Sequence, residues 1–126
     1  MNKQAIHSHD APTALGPYSQ AIAAGKTVYL SGQLGIEPLT GMLAEGIEAQ
    51  THQAFRNLRA VAQAAGGDLD GFVKLTILLA DLNDFPIVNE VMAGYFKEPY
   101  PARATYQVAA LPKAAAIEIE AILILD

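Results

Sequence analysis

The closing segment of the chain, Ile117-Glu118-Ile119-Glu120-Ala121-Ile122, alternates apolar and acidic side chains with a period of two. An extended strand places every second side chain on the same face, so this segment predicts a strand with an acidic face. The preceding Ala102-Arg103-Ala104-Thr105 predicts another strand, on which Arg103 and Thr105 share a face. Charged groups on strands of a small domain are costly to bury unless they are paired or used in binding or catalysis.

The remaining pattern predicts four further strands and two helices, which together indicate a mixed α/β (α+β) fold. Helices separated by strands are expected to cover one face of a single mixed six-stranded sheet. The other face then needs its own cover, for which a second subunit is the simplest source. The predicted segments are strands at Lys3–Ile6, Ser19–Ala24, Thr27–Ser31 and Phe72–Ala80, and helices at Ile47–Ala65 and from Asp81 or Asn83 to about Phe96. The Phe72–Ala80 strand is expected to be central and buried on both faces, because it is apolar and β-branched throughout.

Composition limits the class of protein. A length of 126 residues predicts one domain, spanning residues 1–126. With 52% hydrophobic and 17% charged residues, the chain has an apolar surplus that favours an oligomer. A net charge of −5 without a Lys/Arg cluster argues against nucleic acid as a partner. No signal-peptide pattern, membrane-length apolar run or cysteine is present, so a cytoplasmic protein that does not contact membranes is expected.

Arg103 and Glu118 are the leading candidate functional residues, and each has two interpretations. The planar guanidinium of Arg103 suits carboxylate recognition through two parallel hydrogen bonds, but it also suits a structural salt bridge to Glu118, Glu120 or a neighbouring residue, and structural ion pairs are common. Glu118 suits a general acid/base or a carboxylate that positions water, but it also suits an ion pair with a lysine.

Other polar residues stand at informative positions. Asn89 lies on the predicted buried stripe of the second helix, where an amide is more often a satisfied core group than a ligand. Tyr18 and Ser31 each lie close to a glycine, which favours contact with a ligand. His7, His9 and His52 lack the spacing of a metal site, so no metal is expected. We find no phosphate loop, nucleophile triad or Schiff-base lysine.

Seven segments carry a family resemblance: Gly16-Pro17-Tyr18-Ser19-Gln20-Ala21, Ser31-Gly32-Gln33, Asp81-Leu82-Asn83-Asp84-Phe85, Val88-Asn89, Pro101-Ala102-Arg103, Leu111-Pro112-Lys113 and Ile117-Glu118-Ile119-Glu120-Ala121. Together they resemble the Rid family of reactive-intermediate deaminases, also called the YjgF-type or L-PSP family. The resemblance implies a chorismate-mutase-like fold and a homotrimer whose sheets pack into a central barrel, with active-site clefts between subunits. It also implies hydrolysis of 2-imino or 2-enamino acids, such as 2-aminoacrylate and 2-iminopropanoate, to 2-keto acids and ammonia without a cofactor.

By the same resemblance, Arg103 is the substrate-binding arginine and Glu118 the glutamate that positions water. Tyr18, Ser31 and Asn89 fall on other pocket positions, and the backbone of Gly32 and Thr105 is expected to supply hydrogen bonds. Thr105 departs from the cysteine that many bacterial members carry. The alternative is a non-catalytic trimer that binds 2-keto acids or has a regulatory or chaperone-like role, which would have little use for Glu118 near the ligand's carboxylate.

Overall fold

The structure, a computed structural model, describes residues 2–126 of the chain. Eight principal elements follow one another, with short 3-10 turns between some of them. They are β1 (Lys3–Ile6), β2 (Ala21–Ala24), β3 (Thr27–Leu34), α1 (Gly46–Ala64), β4 (Phe72–Leu79), α2 (Phe85–Ala93), β5 (Ala102–Gln107) and β6 (Ile117–Ile124).

The six strands form one sheet in the order β1-β2-β3-β6-β4-β5. Every neighbouring pair is antiparallel except β4 and β5, which are parallel because α2 carries the chain back to the same end of the sheet. The last strand, β6, therefore lies between β3 and β4. The predicted mixed six-stranded sheet with two helices is confirmed.

Both helices pack on one face of the sheet. The buried stripe of α1 includes Phe55, Leu58 and Val61, which recur at helical spacing. It belongs to a core cluster whose strand side chains include Leu75 and Ile119, both fully buried. The helix is terminated by Gly66, two residues after its last residue, which has a φ of 97°. Glycine adopts this left-handed conformation without the steric cost of a Cβ atom. The prediction that both helices cover the same face is confirmed.

The opposite face, which we call the open face, is largely uncovered by residues 2–126. Tyr29, Tyr106 and Ile124 retain 53%, 57% and 41% of their accessible surface. Each lies in register with an open-face neighbour, as Tyr29 does with Ile122. A smaller cluster around Leu34 and Leu111 covers only one part of this face. The open face therefore exposes several large apolar side chains, interspersed with polar ones such as Thr76 and Glu120.

Some predicted boundaries are wrong. The third strand does not stop before Gly32, since a bulge lets pairing resume at Gln33 and continue to Leu34. The second helix begins at Phe85, after a 3-10 turn in which the carboxylate of Asp81 accepts a hydrogen bond from the amide of Asn83.

That second helix also ends earlier than predicted, at Ala93, because Gly94 and Tyr95 already form tighter bonds to carbonyls three residues back. The strand β4 is buried mainly on its helix-covered face, and its other side chains are only partly covered.

Among residues 2–126, no helix combines the length and the apolar character needed to cross a membrane.

Candidate functional site

The guanidinium of Arg103 is held by one face of α2. Its Nη1 donates a 2.6 Å hydrogen bond to Oδ1 of Asn89 and lies 3.6 Å from Sδ of Met92. Its Cζ lies 4.9 Å from the ring centroid of Phe85, a cation–π distance. Phe85, Asn89 and Met92 meet the same group because residues four and seven apart share a helix face. Nη1 is thus fixed, while Nε and Nη2 make no side-chain hydrogen bond with any described residue.

Asn89 is exposed, so its predicted place on the buried stripe of the helix is wrong. The stripe is formed instead by Val88, Val91 and Met92. The amide oxygen of Asn89 is engaged by Arg103, and this contact orients the guanidinium. Asn89 therefore holds one nitrogen of the guanidinium in place.

A cleft of about 390 Å³ opens beside Arg103. Its lining comprises Asn89, Met92, Ala93, Tyr100, Pro101 and Arg103. Sequence analysis identified Asn89 and Arg103 but missed the others. The sequence holds a signal for Met92, which lies seven residues after Phe85 and three after Asn89 and therefore shares a helix face with them.

A larger cleft, of about 550 Å³, lies on the other side of the connection between α2 and β5. It shares Pro101 with the smaller one, but none of the predicted site residues lines it. Its charged groups include Arg59 and Asp68, which already form an ion pair at 2.9 Å. The smaller cleft is therefore the better candidate for chemistry.

Glu118 belongs to a second group of residues, at the bulge of β3. A Cβ placed on Gly32 would lie 2.9 Å from the carboxyl carbon of Glu118, so glycine allows the carboxylate to lie against the β3 backbone. Ser31 donates a 2.6 Å hydrogen bond to the carbonyl of Ser19, which ties the preceding loop to β3. Tyr18, in that loop, is 55% exposed.

The environment of Glu118 favours its protonated form. Partial burial raises the pKa of Glu118, and the nearby negative charge of Glu120 raises it further. The residues paired with it on the neighbouring strands, Leu34 and Leu78, carry no charge. Glu118 is therefore a more basic carboxylate than an exposed glutamate.

Arg103 and Glu118 lie on opposite faces of the sheet. Arg103 is in register with Leu75, which is fully buried beneath the helices. Glu118 is in register with Leu78, three residues further along β4 and hence on the open face. The alternative of a salt bridge from Arg103 to Glu118 or Glu120 is wrong, because among residues 2–126 the ion pair found is Arg59–Asp68. Within one chain the two candidate residues do not meet.

Thr105 lies on the Arg103 side of β5, in register with Ile77. Its Oγ1 is buried and has no hydrogen-bond partner among the described residues. A buried hydroxyl left without a partner costs about 1–3 kcal/mol.

Among residues 2–126 there is no group of three or more side chains arranged to hold a metal ion.

Comparison with known proteins identifies the family. Residues 8–125 match the family described as Endoribonuclease L-PSP. The chain is 50% identical over 123 residues to the human 2-iminobutanoate/2-iminopropanoate deaminase, covering 97% of this chain and 90% of the human protein. The chain belongs to this family, and within it to the RidA-type members of the Rid family.

Solved structures agree with this assignment. RidA from Psychrobacter sp. PAMC 21119 is 52% identical and superimposes with a TM-score of 0.95, covering 97% of this chain and 99% of its own. TdcF of E. coli, whose structure contains bound serine, is 38% identical with a TM-score of 0.93, covering 98% of this chain and 99% of its own. The predicted family resemblance is confirmed.

Proposed function

We propose that the protein hydrolyses reactive 2-imino and 2-enamino acids to 2-keto acids and ammonia. The observation that carries the proposal is the arrangement of Arg103, which lines a cleft and whose Nη1 is held by Asn89, while its Nε and Nη2 make no side-chain hydrogen bond with a described residue. Such a fork binds a carboxylate through two parallel hydrogen bonds. The names of the human and other mammalian relatives, which are about 50% identical, support the same reaction.

The position of Glu118 on the other face of the sheet supports a site shared between subunits. We infer that the open faces of three copies pack into a central barrel with the chorismate-mutase-like arrangement. Packing there would cover exposed apolar side chains such as Tyr29 and Ile124. Each cleft would then combine Arg103 of one protomer with Glu118 of its neighbour. A trimer supplies three such sites from one type of interface.

The proposed chemistry needs only these two charged groups and water. Arg103 holds the substrate carboxylate and so fixes carbon C2 beside a water molecule, which replaces a chance encounter with an oriented one. Glu118 accepts a proton as the water oxygen bonds to C2, and then returns it to the nitrogen. The second proton of the water, now on the hydroxyl group of the intermediate, passes through the same carboxylate to the nitrogen as the C2–N bond breaks, so ammonia leaves and the water oxygen becomes the keto oxygen.

The other predicted residues complete the proposed site. Tyr18 and Ser31 belong to the same half-site as Glu118, and the Gly32 backbone lies against that carboxylate. On the Arg103 side, Asn89 orients the guanidinium, and the backbone of Thr105 supplies hydrogen bonds to the substrate. The reaction is proposed to proceed without a cofactor or metal, in the cytoplasm, and without nucleic acid or membrane as a partner.

A coupled assay tests the proposed function. An amino-acid oxidase with catalase generates 2-imino acids continuously, and semicarbazide traps those that survive. Adding the purified protein is expected to reduce semicarbazone formation at a constant rate of amino-acid oxidation, because the imine is hydrolysed before it is trapped. Unchanged semicarbazone formation, together with measurable binding of 2-keto acids, would support the non-catalytic binding module instead.

The pH dependence tests the role of Glu118. Its carboxylate must be deprotonated to accept a proton, so activity is expected to fall as pH decreases through its raised pKa, at a higher pH than for an ordinary glutamate. Glu120→Gln removes one of the two causes of the raised pKa, so this acidic limb should move to lower pH. Glu48→Gln on α1 makes the same change of net charge elsewhere and should leave the limb in place. An identical shift in both variants would contradict the assignment.

A further inference from the structure

The larger cleft, on the other side of the connection between α2 and β5, takes no part in the proposed reaction. Its volume of about 550 Å³ lies within the range of ligand-binding pockets. Its lining combines an apolar floor with side chains of both charges. We propose that this cleft binds a free amino acid with a large apolar side chain, in its zwitterionic form. The inference does not rest on the proposed function, because Pro101 is the one described residue that lines both clefts.

Aromatic rings fix the floor of this cleft. Phe96 is buried, and its ring meets the rings of Phe55 and Phe72 edge-on, with centroids 5.7 and 6.0 Å away. The ring of Tyr95 stacks on Phe55 at 5.2 Å. The hydroxyl of Tyr95 lies 2.9 Å from Nδ1 of His52, within hydrogen-bond distance. Rings held in this way lose little freedom on binding, so an apolar group of a ligand meets a preformed surface.

The charges around the floor are only partly paired. Of the described residues that line the cleft, five are charged, and two of these, Arg59 and Asp68, pair with each other at 2.9 Å. The other three, Lys97, Asp70 and Glu98, form no ion pair with any of residues 2–126. They offer one ammonium and two carboxylates to a ligand. An amino acid complements this set, because its carboxylate pairs with Lys97 and its ammonium with one of the two free carboxylates.

The balance of charge determines which ligands the cleft disfavours. Its described lining carries three carboxylates and two cations, so a purely anionic ligand such as a 2-keto acid or a phosphate is not favoured. The Arg103 cleft has the opposite character, since its lining among residues 2–126 carries a cation and no carboxylate. The two clefts therefore suit different ligands. An amino acid fits the larger cleft, and the imino and keto acids formed from amino acids fit the smaller one.

Three phenyl compounds test the proposal when the amide NMR shifts of the full chain are followed during titration. L-phenylalanine carries both charges, 3-phenylpropionate lacks the ammonium, and phenethylamine lacks the carboxylate. L-phenylalanine is expected to shift the amides of Asp70, Lys97 and Glu98, with a Kd on the order of a millimolar. Each analogue should bind about tenfold more weakly, because one charge of the cleft stays unpaired. Binding of either analogue as tight as that of L-phenylalanine, or shifts confined to other parts of the chain, would overturn the proposal.

Removing the two free carboxylates should change the preference of the cleft. The double variant Asp70→Asn/Glu98→Gln should bind L-phenylalanine about tenfold more weakly than the wild type does. It should bind 3-phenylpropionate more tightly, because two negative charges near the ligand are gone, and a gain of this kind does not arise from misfolding. Glu48→Gln/Glu90→Gln makes the same change of net charge at exposed residues outside the cleft and should keep the wild-type preference. The same result in both double variants would contradict the site.

Lys97→Met tests the other end of the zwitterion. It should weaken binding of L-phenylalanine about tenfold and leave that of phenethylamine unchanged, since the amine makes no use of the cation. Lys26→Met, at an exposed lysine outside the cleft, is the matched control. Arg103→Ala should bind L-phenylalanine as the wild type does, whereas loss of binding in that variant would place the amino acid in the smaller cleft and overturn the proposal. A failure of the proposed function would look different, since these titrations require no imine turnover.

Discussion

Replacing Arg103 with alanine is expected to abolish both turnover of 2-imino acids and binding of 2-keto acids. A desolvated carboxylate that loses its charged partner costs about 2–5 kcal/mol, which corresponds to a loss of roughly 30-fold to several thousandfold in kcat/KM. Arg103→Lys should restore little, since an ammonium does not reproduce the two-point fork. Arg56→Ala, which removes an exposed arginine from α1, is the control and should leave both properties unchanged.

Glu118→Gln should give a different result, and the contrast with Arg103→Ala separates binding from catalysis. The amide keeps the size of the carboxylate but does not accept the proton, so kcat should fall on the order of a hundredfold or more. Binding of 2-oxobutanoate should persist or improve, because a like charge near the ligand is removed. Kd and melting temperature are measured for both variants. Equal losses of affinity in the two variants would mean that the proposed division of roles is wrong.

Much of the fold could be predicted from the sequence because its signals are local. The alternation of Ile117 to Ile122 specifies a strand, and the stripe containing Phe55, Leu58 and Val61 specifies a helix. The errors occur where tertiary contacts override local pattern. The third strand continues through Gly32 because β6 supplies pairing partners beyond the bulge. A glycine in a strand sequence does not by itself distinguish a bulge from an end.

Individual candidate residues of the site could be proposed from the sequence, but their arrangement could not be predicted. Strand periodicity shows that Arg103 and Thr105 share a face, and that Glu118 and Glu120 share a face. Periodicity within separate strands does not show whether these are the same face of the sheet, because that depends on pairing register. The register of β4 with both strands supplies the answer and places them on opposite faces. The contact of Asn89 with Arg103 was equally beyond prediction, since it joins two elements.

The strongest test of a shared site is complementation between two inactive variants. Arg103→Ala and Glu118→Gln chains, given different affinity tags and co-expressed, form hybrids that two successive affinity steps isolate. If Arg103 of one chain acts with Glu118 of the next, one interface in each hybrid regains both native residues. Activity should then return although neither variant is active alone.

The amount of recovered activity depends on the number of subunits in the oligomer, in addition to showing that the site is shared. A cyclic trimer that contains both variants has one native site among three, so about one third of wild-type activity is expected. A dimer would give about one half, because one of its two sites would be native. Hybrids of the Arg103→Ala chain with a chain carrying both substitutions contain no native site and should stay inactive. If the first hybrids were inactive too, each site would have to take both residues from a single chain, against the opposite faces on which they lie.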